Sequence, residues 1–139
     1  MIKNISNLGD AALYCDFGSE VNEEINSKVI AYFYNIKDKN ITGITNLTPS
    51  YNKLIITFDL NKTKFEIIKK KIESLEIKKV KKFKKKLIKI PVCCHRSFSL
   101  DIKRLEELLK ISENKIYEKF FEKEYFCYMT GFIAGMPFL

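Results

Sequence analysis

The sequence predicts an α+β fold whose first section reads strand, strand, helix, strand, strand, helix. This order is typical of a split β-α-β sandwich, in which two helices cover one face of a sheet. Three observations predict it: an apolar strand closed by a glycine, two alternating strands around a Pro-Ser turn, and helical apolar spacing in two further segments. With 139 residues and 46% hydrophobic content, the chain can form a core.

A short apolar strand is predicted at residues 11–17, which Gly18 closes. A helix should follow, with Asn22 as its N-cap and glutamates in the first turn, where the helix dipole favours negative charge. The polar run at residues 35–40 is predicted to end this helix. The apolar residues that we expect on its buried face are Ile25, Val29, Ile30 and Phe33.

Residues 41–48 and 53–59 alternate as a pair of strands. Between them lie Pro49, Ser50, Tyr51 and Asn52, and proline, serine and asparagine all favour turns. The pattern predicts a β-hairpin with a tyrosine at its tip.

The second helix has the clearest signal. Thr63 and Glu66 have the spacing of a capping box, and apolar residues follow at helical intervals, namely Phe65, Ile68, Ile72 and Leu75. Residues 78–89 are lysine-rich, and we predict an exposed edge strand and linker that the lysines protect from pairing with another sheet.

The remaining elements are a strand at residues 87–93, a helix at 101–110, a short helix capped by Ser112, and a strand at 125–130. Ser99 is predicted to cap the helix that begins at Asp101. The residues that should face inward from this helix are Ile102, Leu105 and Leu109.

The composition limits the partners of the chain. The net charge is +8, yet Arg96 and Arg104 are the only arginines among 25 basic residues, and base recognition favours the guanidinium group. We therefore predict a solvated lysine face and no nucleic-acid partner. No apolar run reaches the roughly 20 residues of a membrane helix. The four cysteines are predicted to be reduced and mostly buried, which favours the cytoplasm.

Sequence patterns of a catalytic centre are weak. Cys93, Cys94 and His95 are the residue types of a zinc or nucleophile site, but neighbouring strand residues point to opposite faces, so no metal site is predicted. We expect Cys93 in the core and His95 at the surface. Ser97, His95 and Asp101 lack the glycines of a nucleophile elbow. No glycine precedes a Lys-Ser/Thr pair, as a phosphate loop would require. Catalytic residues are therefore left unassigned.

Four segments in register resemble one known family, the B-type subunits of bacterial 5-oxoprolinase, which includes allophanate hydrolase subunit 1 and the sporulation-kinase inhibitor. The segments are GDAALYCDFG at residues 9–18, Pro-Ser-Tyr at 49–51, IPV at 90–92 and GFIAGMP at 131–137. The chain departs from the family pattern at Cys94, His95 and Arg96, at Phe120, where members carry a histidine, and at Ala134, where they carry a proline.

The resemblance implies two domains. Residues 1–86 would form a ferredoxin-like α+β domain, and residues 87–139 the N-terminal part of a cyclophilin-like β-barrel domain that continues in other members. Because an apolar end must be packed, we expect the C-terminal segment to self-associate or to need a partner subunit, whereas residues 1 to about 86 should fold independently.

The resemblance also implies a function, that of a subunit of an ATP-dependent 5-oxoprolinase, an amide-ring hydrolase that works with sister subunits. No cofactor would bind this chain alone, and ATP and Mg would belong to the assembled complex. The alternatives are an inhibitor of a sensor histidine kinase and an inactive split-gene fragment. The implied substrate-binding or interface residues are Pro49, Ser50, Tyr51, Gly131, Phe132, Gly135 and Pro137. For Gly131 and Gly135, a bulge and turn is the other interpretation.

Overall fold

A computed structural model of the chain describes residues 1–77, 86–131 and 133–139. The described residues group into two compact units, one from residues 1–77 and 126–139 and the other from residues 86–125. An antiparallel sheet and four helices in this part of the chain confirm the α+β class. The two domains divided at residue 86 remain a prediction. Among the helices described, none is long and apolar enough to cross a membrane.

The first unit contains a four-stranded sheet in the order β1-β2-β4-β3, with every neighbouring pair antiparallel. Helix α1 connects β2 to β3, and β4 lies between these two strands, which is the split β-α-β order that the sequence predicts. The elements are β1 (Asn4–Asn7), β2 (Ala12–Asp16), α1 (Glu23–Lys39), β3 (Ile44–Pro49), β4 (Lys53–Phe58) and α2 (Phe65–Glu73).

The core lies between the sheet and the two helices. Burial alternates along β4, so every second side chain enters the core, and each large apolar side chain buried contributes about 1.5–3 kcal/mol. Both helices supply residues to the same cluster, whose fully buried members include Leu13, Cys15, Val29, Leu54, Ile56 and Ile68.

Helix α1 begins as predicted. The Asn22 side-chain oxygen accepts a hydrogen bond of 2.9 Å from the Ile25 backbone N–H. The helix ends inside the predicted run of residues 35–40, but only at its last residue. It continues through Lys39 and ends at Asn40, which adopts the left-handed conformation that asparagine tolerates. The buried face agrees with the prediction in part. Val29 is buried, and Ile25 and Phe33 pack against the core, but the other fully covered members are Asn26, Tyr32 and Ile36.

The predicted hairpin forms between β3 and β4, and the Ser50 N–H donates to the Lys53 carbonyl at 2.9 Å across its turn. Helix α2 also forms, with Ile68 and Ile72 buried. The capping box was wrong. The N-cap is Lys64, which makes no side-chain cap bond. The Thr63 side chain is buried instead, and the Thr63 hydroxyl has no hydrogen-bond partner in the described part of the chain.

Of the lysine-rich segment, residues 78–85 lie outside the described residues, so the predicted edge strand stays a prediction. The strand predicted at residues 87–93 was wrong. Residues 86–93, all described, have no regular secondary structure, because a strand needs a neighbour for its hydrogen-bond ladder and no described strand pairs with them.

The second unit contains α3 (Ile102–Leu109) and α4 (Glu113–Phe121). None of its residues from 86 to 125 is buried, so the predicted inward packing of Leu109 was wrong. Ser112 occupies the N-cap position of α4, as predicted, but its side chain makes no cap hydrogen bond. Ser99 does not cap α3, whose N-cap is Asp101, because its hydroxyl is 2.7 Å from that of Tyr117.

The prediction that the cysteines are mostly buried was also wrong for three of the four. Only Cys15 is buried among the four, while Cys93 and Cys127 are exposed and Cys94 is half-buried. Cys93 was expected in the core of the strand at 87–93, and it is exposed because that strand does not form. Burial raises the pKa of Cys15 to about 12, so this thiol stays neutral near pH 7.

Candidate functional site

The structure brings two of the predicted groups of site residues together. We call residues 49–52 the hairpin tip and residues 126–139 the C-terminal ribbon, whose strands are β5 (Met129–Thr130) and β6 (Pro137–Phe138). The strand predicted at residues 125–130 is shorter than expected, because only Met129 and Thr130 pair with β6. Both segments belong to the first unit, although about 75 residues of sequence separate them.

Aromatic rings join the hairpin tip to the C-terminal ribbon. The ring centroid of Tyr51 lies 5.4 Å from that of Tyr128 and 6.4 Å from that of Phe138. Phe126 extends the cluster, with its ring 4.8 Å from Tyr128. Aromatic pairs at these separations stabilise contacts by about 0.5–1.5 kcal/mol beyond their buried area. All four rings are half-buried, so they form one partly exposed surface.

The remaining predicted residues shape the same region. Ser50 donates its hydroxyl to the Met129 sulfur at 3.2 Å. Within the ribbon, the Gly131 N–H donates to the Met136 carbonyl at 3.1 Å. Gly135 has a φ of +81°, a left-handed conformation that glycine adopts without strain, so it serves the turn between β5 and β6. Pro137 pairs with Thr130 in the ribbon, and Phe132 lies outside the described residues.

A buried amide, which the sequence reasoning missed, lies beneath this surface. Asn26 is 4% exposed, and its Nδ2 group donates to the carbonyls of Ser50, Tyr51 and Tyr128 at 3.1, 3.0 and 3.2 Å. One signal in the sequence could have indicated it, namely the position of Asn26 on the buried face of α1 with Val29 and Ile36. A polar side chain on such a face needs partners.

A second polar cluster orders the neighbouring loop. Asn52 is buried, and its Nδ2 group donates to the carbonyls of Gly18 and Glu20 at 2.8 and 3.0 Å. The Lys53 ammonium group donates to the Asp16 carboxylate and to the Gly18 carbonyl. The Lys53 hydrogen bond, with a second from the Gly18 N–H, lowers the pKa of Asp16 below its ordinary value.

The lowered pKa of Asp16 predicts a pH dependence. A carboxylate whose folded pKa is depressed stabilises the fold above its unfolded pKa of about 3.9, and this contribution is lost as the pH falls through the lower, folded value. Acidification below about pH 4 should therefore lower the urea midpoint of the native chain more than that of Asp16→Asn. Asp38→Asn, at an exposed position, is the matched control. Identical pH profiles for Asp16→Asn and the native chain would contradict the role of this pair.

The reactive residue types of the second unit do not assemble a metal centre in the described ranges, where no three metal-binding side chains come together. His95 is exposed, as predicted, and its Nδ1 atom accepts a 3.3 Å hydrogen bond from the Ser97 N–H. Phe120, where the resemblance implies a histidine in other members, packs its ring 5.7 Å from that of Tyr125. A phenyl ring has no proton to transfer, so no acid-base role follows at this position.

The open clefts of the first unit lie elsewhere. One cleft has a volume of about 610 Å³ and is lined by the C-terminal ends of α1 and α2, including Lys39, Lys71 and Ser74. Two others of about 280 and 220 Å³ border β3 and β1. None of these three is lined by a predicted site residue. The candidate site is therefore a surface, suited to contact with a partner more than to enclosing a small molecule.

Comparison with known proteins agrees with the resemblance drawn from the sequence. The family described as "Carboxyltransferase domain, subdomain C and D" matches residues 3–139. The chain is 28% identical over 147 residues to the B-type subunit of 5-oxoprolinase from Bacillus subtilis (strain 168). This match covers 97% of the chain, which spans 61% of the relative's length.

Two crystal structures resemble this fold. The protein TTHA0988 superposes with a TM-score of 0.70 at 21% identity, over 91% of this chain and 24% of that one, which supports the fold alone. The conserved uncharacterized protein PH0987 from Pyrococcus horikoshii gives a TM-score of 0.51 at 28% identity, over 94% of this chain and 60% of that one.

Proposed function

Because the chain belongs to the family of carboxyltransferase domains, subdomain C and D, we propose that it is a non-autonomous subunit of a 5-oxoprolinase. The observation that carries the proposal is the 28% identity to the B-type 5-oxoprolinase subunit along 97% of the chain. In this proposal the first 86 residues are the ferredoxin-like domain, and residues 87–139 begin the cyclophilin-like barrel. The assembled enzyme works in the cytoplasm, with ATP and Mg held by the complex.

The role of this chain follows from the chemistry of its candidate site. The C-terminal ribbon contains no charged side chain, and the hairpin tip adds proline, serine, tyrosine and asparagine. Interface cores are depleted in charged residues and enriched in aromatic ones. Such a surface positions a partner and supplies no strong acid or base. We therefore assign Pro49, Ser50, Tyr51 and Pro137 to contact with a sister subunit.

The exposed apolar side chains of the ribbon support the same role. Ile133 is 63% exposed, and Leu139, which directly follows Phe138, is 58% exposed. Apolar surface of this kind is a common mark of a protein contact. Self-association through these residues is the competing expectation, which ultracentrifugation of the isolated chain addresses.

The test measures ATP-dependent glutamate release from 5-oxoproline by the chain alone and with sister subunits. We expect no turnover by the chain alone and turnover in the mixture. Tyr51→Ala should weaken assembly about 30-fold, the effect of truncating an interface anchor worth about 2 kcal/mol. Tyr34→Ala, on the exposed side of α1, is the matched control and should leave assembly unchanged.

Other outcomes of this experiment would contradict the proposal. Turnover by the isolated chain would show an autonomous enzyme. Failure to assemble with sister subunits, combined with inhibition of sensor histidine kinase autophosphorylation, would favour the inhibitor role. If the chain shows no turnover alone, no turnover with sister subunits and no kinase inhibition, an inactive split-gene fragment of the family is favoured.

A further inference from the structure

The amide of Asn26 links three parts of the first unit that are distant in sequence. It projects from α1, and its three carbonyl acceptors belong to Ser50 and Tyr51 of the hairpin tip and to Tyr128 of the C-terminal ribbon. The separation between Asn26 and Tyr128 is 102 residues. An Asn side chain offers two N–H hydrogens, so the three carbonyls share them at distances of 3.0–3.2 Å.

The ribbon needs such an attachment. Its two strands contain two residues each, and an isolated two-stranded ribbon is at best marginally stable in water. The ring contacts of Tyr51 lie at a half-exposed surface, whereas Asn26 is 4% exposed. A hydrogen bond in a buried setting is shielded from competing water, and its loss leaves buried acceptors without a donor.

We propose that Asn26 is a positioning residue that holds the C-terminal ribbon on the hairpin tip and so aligns Tyr51, Tyr128 and Phe138 into one surface. This positioning role follows from the contacts of Asn26 and does not depend on what the chain assembles with. Its consequence for the assembly of the enzyme rests on the proposed function.

Asn26→Asp is the informative variant, because it keeps the size of the side chain while a carboxylate cannot donate to the three carbonyls. The helix dipole tolerates a negative charge in the first turn of α1, but a carboxylate at this buried position also repels the three carbonyl oxygens. Asn26→Ser, which brings no charge, is therefore measured beside it. The matched control is Asn35→Asp on the same helix, because the amide of Asn35 donates to the Ala31 carbonyl within α1.

Amide hydrogen exchange distinguishes a positioning role from a general loss of stability. The ribbon probes are the N–H groups of Tyr128 and Gly131, which bond to the carbonyls of Phe138 and Met136. The core probes are the N–H groups of Leu13 and Ile56 in the paired strands β2 and β4. In Asn26→Asp we expect exchange at the ribbon probes to accelerate about tenfold more than at the core probes, and in Asn35→Asp no such difference.

The experiment has clear contrary outcomes. Equal acceleration at ribbon and core probes would show that Asn26 only stabilises the fold, and unchanged ribbon exchange would show that other contacts hold the ribbon. If Asn26→Asp does not fold, Asn26→Ser, whose shorter hydroxyl cannot reach three carbonyls, takes its place under the same criteria.

A binding measurement with sister subunits then separates this inference from the proposed function. Weakened assembly that accompanies ribbon release supports both. Ribbon release with full assembly supports the positioning role of Asn26 and contradicts the assignment of this surface to contact with a sister subunit.

Discussion

Replacement of Ile56 by alanine should lower the free energy of unfolding by about 2–5 kcal/mol, as is usual when a buried isoleucine is truncated. Ile56 is fully buried in β4, and its neighbours across the sheet are Leu13 in β2 and Leu47 in β3. The side chain lies between paired strands and the helices, so the backbone cannot close the cavity by moving. The total free energy of unfolding of a small domain is only about 5–15 kcal/mol, so this loss is a large part of it.

Ile55→Ala is the matched control, because Ile55 is the same residue on the same strand but points to the opposite, half-exposed face. Urea denaturation followed by far-UV circular dichroism should give a clearly smaller loss for Ile55→Ala. Comparable losses for the two variants would mean that the helices do not cover the face of β4 to which Ile56 belongs.

Gly43→Ala is expected to destabilise the first unit by about 1–3 kcal/mol or more, for two reasons. Gly43 has a φ of +94°, which is strained for any residue with a side chain. A Cβ atom there would also lie 2.5 Å from Cγ2 and 2.9 Å from Cβ of Thr63, both in a buried side chain that cannot turn away freely.

Two further variants separate these causes. Gly9→Ala, at a φ of +61° with nothing within 4 Å of the added Cβ, tests backbone strain alone and should cost about 1–2 kcal/mol. Thr63→Ser removes the Cγ2 methyl group, so Gly43→Ala should cost less in that background. Equal costs of Gly43→Ala in both backgrounds would show that the contact with Thr63 does not contribute.

The predictions that held depend on interactions within a few residues. The Asn22 cap bonds a backbone group three positions away, and the turn at residues 49–52 joins strands that are adjacent in sequence. The spacing of Ile68 and Ile72 reflects one turn of a helix. Local geometry of this kind can be read directly from a sequence.

The predictions that failed depend on what a segment packs against. Thr63 has the spacing of a cap, but its side chain is buried under Gly43 instead. The polar run at residues 35–40 is typical of a helix end, yet Ile36 is buried and α1 continues through Lys39. Residues 87–93 alternate like a strand, but no strand in the described part of the chain pairs with them.

The sequence by itself determined the α+β class, the order of elements in the first unit and the family, because short-range patterns and motif order are written along the chain. It also indicated Tyr51 and Pro137, without showing that the hairpin tip and the C-terminal ribbon, to which they belong, lie together. The tertiary structure alone decided that the hairpin tip contacts the C-terminal ribbon and that Asn26 lies beneath both. The physical reason is that a hydrogen bond between groups 102 residues apart leaves no periodic trace in the sequence and depends on how the helix, the hairpin and the ribbon pack.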